Sequence, residues 1–305
     1  MGRLRAETAL AQDTPVRPPG RAENSHAPSV KQATKPGSAG GALSWLIPRQ
    51  HGAWSILIVS YLTGVMAFEG RDGAIPGLVL ASVLTGFVGQ HAAATALRTR
   101  RPSAVAWAVA LNGAAAGSVA VLLFVCDRRL LLPVVLAGAA LALISLLVQH
   151  AHRDRTAWGE LIGILGLSTA IPIASLSRTG EPGVAHLGLW LLGLLYFCGS
   201  VFHVRFLVRN WRARRGPLGA RLRAGWASAL YHPTALLAVA GLSALGWAPP
   251  WAAVALLPVT LKGLWALRRG GNAPPAIRRL GFIELAHSLL FASLVILTYH
   301  MAHGP

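Results

Sequence analysis

Residues 130–149 read LLLPVVLAGAALALISLLVQ, uncharged from end to end, between Asp127-Arg128-Arg129 and His150. At 1.5 Å per residue a helix of that length is about 30 Å long, the thickness of a bilayer's hydrocarbon core. Outward from this stretch the same signature recurs on both sides. The spans read as 50–68, 75–97, 103–126, 130–149, 158–177, 185–207, 227–247, 250–267 and 280–302. Gly, Pro and Arg punctuate the boundaries, as in Glu69-Gly70-Arg71-Asp72-Gly73 and Arg98-Thr99-Arg100-Arg101-Pro102. A backbone in lipid must satisfy its own hydrogen bonds, so these segments predict an all-α polytopic transmembrane bundle of about nine spans.

Composition agrees. Of the 305 residues, 54% are hydrophobic and 12% charged, about half the charged share of a soluble domain. That balance excludes a disordered chain, a collagen or a coiled coil. Residues 1–43 differ: they are rich in Pro, Gly, Ala and Ser, and they carry Arg3, Arg5, Arg17, Arg21, Lys31 and Lys35. They read as a disordered basic tail without a cleavable signal peptide, ahead of a transmembrane domain at 44–305. Cys126 and Cys198 both fall in apolar blocks, where they read as small core residues. The net charge of +18 sits in the tail and in loops beside spans. It therefore points to the bilayer and its anionic lipids rather than to nucleic acid.

Orientation follows from that charge. Across alternate loops, 24 of the 28 Lys and Arg fall on one side. The other side holds Arg71, Arg128, Arg129 and Arg178. Positive residues stay inside, which predicts a cytoplasmic N-terminus and an external C-terminus. Trp45, Trp54, Trp158, Trp211, Trp226, Trp247 and Trp251 gather near span ends as an interfacial belt does. Two further features bear on packing. Gly113-x-x-x-Gly117 and Gly159-x-x-x-Gly163 have the spacing that lets helices approach closely. The stretch 217–226 alternates apolar and basic residues and reads as an interfacial segment before span 7.

Ionisable groups inside lipid are costly and therefore informative. With this orientation every intramembrane carboxylate, Lys and Arg falls in the cytoplasmic leaflet, Glu160, Arg205, Arg209, Lys262 and Glu284, beside the polar residues Gln50, His51, Gln90, His91, His203 and His287. The chemistry this suggests is a site for an anionic amphiphile of isoprenoid or phospholipid type. Arg98, Arg205 and Arg209 would take the headgroup, and Gln50, His91, His203 and His287 would add binding contacts. Glu284 or Glu160 would serve as base, with His51 as acid or base partner. Glu284 is expected to pair with a cation on span 6, foremost Arg205. No cofactor is expected. Two other readings stand beside this one, a transporter for a small anion or a proton-coupled solute, and a non-catalytic scaffold or assembly factor.

Three segments carry a family resemblance: Pro48-Arg49-Gln50-His51-Gly52-Ala53-Trp54, residues 195–205 (LYFCGSVFHVR), and Leu280-Gly281-Phe282-Ile283-Glu284. Residues 155–163 fit more loosely. Together they resemble the YwiC-like family of bacterial membrane proteins over roughly 44–298. The resemblance implies a multi-pass protein of the bacterial inner membrane and gives weight to Gln50, His51, Glu160, Arg205 and Glu284. The architecture also looks like that of the UbiA-type prenyltransferases, which hold diphosphate through magnesium on Asp-rich motifs after spans 2 and 6. The corresponding stretches here, 90–98 and 203–210, contain no Asp or Glu. Magnesium needs hard oxygen ligands, so no metal site is expected.

Overall fold

A computed structural model describes residues 45–48, 51–70, 73–212, 218–269 and 277–303. The tail expected at 1–43 lies outside the described residues. The helices are α1 His51–Met66, α2 Ala74–Thr99, α3 Pro102–Ala120, α4 Leu132–His150, α5 Ala157–Ser168, α6 Ala170–Thr179, α7 Val184–Arg212, α8 Leu218–Ala244, α9 Leu257–Arg269 and α10 Ile277–His303. Among the described residues there is no strand. Six rods are long and apolar enough to cross a membrane, and a shorter apolar helix, Gly52–Met66, precedes them. A helical rod stands at each of the nine expected segments.

Local sequence explains where the rods bend. The rod Ala157–Thr179 breaks between α5 and α6 at Thr169. Pro172 has no N–H to return to the carbonyl of Ser168. The hydroxyls of Ser168 and Thr169 donate to Leu165 and Gly166 at 3.0 and 2.6 Å. Pro249 and Pro250 precede a 3₁₀ turn, Ala252–Leu256, that leads into α9. A π turn, Val121–Val125, closes α3 before the short connection to α4.

Two expectations change. Residues 218–226 do not form a separate interfacial segment; they are the first turns of α8. Gly225 explains this, because a Cβ there would overlap Phe206 and Leu267, so the segment packs against α7 and α9. The Gly113/Gly117 and Gly159/Gly163 pairs do not serve as paired helix contacts. Nothing lies within 4 Å of a Cβ built on Gly113, Gly117 or Gly163, and Gly159 abuts the backbone of Arg153 and Asp154. The close approaches are made by Gly64 against the Ile171 carbonyl and Gly188 against the Trp247 carbonyl.

The connections divide the bundle into two ends. At one, which we call the basic end, α2, α4, α7 and α9 finish and α1, α3, α5, α8 and α10 begin. At the other, His300 Nε2 meets the Met66 carbonyl at 2.8 Å and the Tyr299 hydroxyl donates to Ala185 at 3.1 Å. Two apolar cores lie between these ends. The first joins α7, α8 and α10 through Leu189, Leu192, Val239 and Val295, with Tyr196 stacked on Phe291 at 4.1 Å. The second joins α1, α2 and α6 through Leu57, Tyr61, Val79 and Ala174. Facing outward are Val105, Val109, Leu136 and Leu147 of α3 and α4, as lipid-facing helices require.

Candidate functional site

Near the basic end of α7, Ser200 and His203 are three residues apart and share a face. Opposite them, Glu284 sits on α10 and Lys262 on α9. Lys262 Nζ donates to both carboxylate oxygens of Glu284 at 2.8 and 2.9 Å, and the Ser200 hydroxyl adds a third donor at 2.6 Å. The two charged side chains are only 11% and 16% exposed. His203 Nε2 stands 4.0 Å from the same carboxylate. His232 of α8 closes the group: its ring lies against Gly263, where a Cβ would come within 2.7 Å of it. Among the described residues His203 Nδ1, His232 Nε2 and the Ser228 hydroxyl have no hydrogen-bond partner. His287 turns to its own helix, with Nδ1 2.8 Å from the Ile283 carbonyl.

The expected Glu284–Arg205 pair does not form. Arg205 Nε instead donates to Glu160 at 2.9 Å and its Nη2 to the Arg155 carbonyl at 2.9 Å. Helical geometry gives the reason. Arg205 follows Ser200 by five residues, about 140° around the helix and about 7.5 Å along it. Ser200 therefore faces α10 while Arg205 faces α5, and Lys262 fills the place beside Glu284. The Arg205 and Glu160 side chains are 27% and 40% exposed, so this pair contributes about 0–1 kcal/mol.

The other expected residues scatter. His91 Nε2 lies 3.2 Å from the Trp45 carbonyl. Arg98 reaches Gln149 Oε1 at 3.5 Å, a long contact. Gln50 lies outside the described residues, as do the side chains of His51, which opens α1, and Arg209. Among the described residues no three His, Cys, Asp or Glu converge as metal ligands do.

A second region was not anticipated. A cavity of about 510 Å³ opens among α1 to α6, within the size range of small-molecule sites. Its far end is apolar, with Leu122, Leu123, Leu131 and Ile173 in the wall. Toward the basic end it meets Gln90, His91, Ser145 and Gln149, and midway along it lies Asn112. Among the described residues no charged side chain lines it. Gln90 Nε2 donates to the Ala142 carbonyl at 3.2 Å and so ties α2 to α4. The signals for this region in the sequence were Gln90 and Asn112, neutral polar residues inside apolar spans.

Residues 47–175 match the family described as YwiC-like protein. No curated protein and no solved structure matches the chain. The match covers every residue of the cavity wall, from Pro48 to Ile173, and stops before α7. The motifs at 195–205 and 280–284 lie beyond it. With this match and its apolar rods, the chain is a multi-pass integral membrane protein.

Proposed function

We propose that this protein binds an anionic amphiphile in the α1–α6 cavity, with the headgroup at the basic end and the chain along the apolar wall. The observation that carries this reading is the lengthwise polarity of the cavity. Its far end is mainly aliphatic, with the Ser82 hydroxyl turned to the Ala115 carbonyl, and its basic end offers the amides of Gln90 and Gln149 and the His91 ring. Arg98 supplies a cation beside this end, already turned toward Gln149. A volume of about 510 Å³ suits one chain rather than two, because drug-sized ligands fill such pockets. The lysine of the α9–α10 pair is held by Glu284 and is not offered to a headgroup.

We further propose nine crossings of the bacterial inner membrane with the basic end in the cytoplasm. The 24-to-4 split of Lys and Arg supports this. The headgroup then faces the cytoplasmic leaflet. A reporter fused after Gly304 should read external and one inserted near Gly219 cytoplasmic; both reporters on one side would refute the span count.

The binding reading is tested by native mass spectrometry of the purified protein. Gly163 lines the cavity and has open space where a Cβ would stand, so Gly163→Leu introduces bulk into the cavity from a position whose Cβ meets no neighbour. Gly113→Leu, equally open but outside the cavity wall, is the control. Wild type and Gly113→Leu should carry one bound amphiphile and Gly163→Leu none. Equal occupancy in all three proteins would refute the reading.

A further inference from the structure

Asn112 stands midway along the apolar rod Pro102–Val125. It is exposed at the rim of the cavity, where α3 faces α4. Its Nδ2 donates to the Ala108 carbonyl one turn back at 2.8 Å, which leaves Oδ1 as a free acceptor among the described residues. Gly89 of α2 holds the amide in place, since a Cβ there would come within 2.8 Å of Nδ2 and 3.0 Å of Cγ. An amide oxygen without a donor at mid-membrane depth is expensive. Lipid tails have no donor to give it.

The rim is also a gap. α3 packs on α2 and α4 on α5, while α3 and α4 meet mainly through the turns that join them. Exposed Leu143 on the α4 side and exposed Asn112 on the α3 side both line the cavity. A molecule lying in the cavity therefore passes Asn112.

We propose that Asn112 recognises a hydrogen-bond donor carried within the apolar stem of the ligand, so that the ligand is a single-chain amphiphile with an uncharged hydroxyl or N–H at mid-chain. This inference rests on the binding reading above. The spacing follows from α2. Arg98 lies nine residues beyond Gly89, the neighbour of Asn112, so the donor sits about 13 Å from the anionic head. Near the head Gln90, His91 and Gln149 supply other contacts; farther along, the Ser82 and Thr169 hydroxyls donate to the Ala115 and Gly166 carbonyls, and Asn112 supplies the open amide oxygen.

The test compares three carboxylate probes of equal chain length on the full-length protein in nanodiscs: stearate, 2-hydroxystearate and 12-hydroxystearate. Only the last places its hydroxyl at the depth of Asn112. It should bind about tenfold more tightly than the other two, the effect of one hydrogen bond made in place of an unmet acceptor. In Asn112→Leu the three should bind alike, with stearate unchanged or tighter. Gly163→Leu should abolish all three. Stearate binding without preference for the 12-hydroxyl in wild type would overturn the role of Asn112 and leave the cavity reading standing, as would a preference that survives in Asn112→Leu. Binding of none of the probes to wild type would overturn both.

Discussion

The two halves of the bundle handle polar groups in opposite ways. In α7–α10 a buried charged pair closes on itself: Glu284 receives two hydrogen bonds from Lys262 and one from Ser200, and aromatic rings fill the space beneath. In α1–α6 there is room, about 510 Å³ of it, and the polar groups beside that room are neutral. Ionisable residues in lipid stand out in a sequence because each requires a partner. Once the partner is supplied from within the chain, little is left over for a ligand. Capacity for a ligand lies with the amides whose bonding is incomplete.

This contrast has consequences of graded size. The largest is expected in the charged half. Glu284→Gln or Lys262→Met strands a buried charge and should destabilise by about 3–5 kcal/mol. The double change should recover most of that loss. Thermal unfolding of the four proteins in detergent measures it, and equal curves would show that the pair contributes nothing. Next, Gly263→Ala drives a methyl into the His232 ring and should cost about 1–3 kcal/mol by overpacking. The half-exposed Glu160–Arg205 pair marks the seam between halves, and Arg205→Gln should cost no more than about 1 kcal/mol. The smallest effect is expected in the open half. Gly117→Ala meets open space on α3 and should leave stability unchanged or raise it by up to about 1 kcal/mol through helix propensity. A loss in that protein would show that α3 is covered by a partner.

The helices were legible because length, hydropathy and Gly/Pro/Arg punctuation are local properties. The grouping of Glu284, His203 and Lys262 near one end was legible as well, since depth along a span can be counted. Their pairing was not. Whether Arg205 or Lys262 reaches Glu284 depends on which face of α7 turns toward α10, and that is set by packing around Tyr196 and Phe291 rather than by spacing. Gly225 shows the same limit: only its contact with Phe206 turns an amphipathic-looking stretch into the start of α8. The cavity was least legible of all, because it is a failure of α3 and α4 to meet, and no residue announces a gap. Asn112 was a clue in plain view. A lone amide within an uncharged rod carries no charge and does not register in a charge count.

The central claim is that the space among α1–α6 is occupied by a lipid-like molecule while the charged group of α7–α10 is closed on itself. A high-resolution electron cryomicroscopy map of the protein purified in mild detergent tests both parts at once. It should show an elongated density running from Gln149 and Arg98 past Asn112 to Leu131, with Lys262 joined to Glu284 and nothing between them. An empty or collapsed cavity, together with foreign density wedged between Lys262 and Glu284, would contradict the claim.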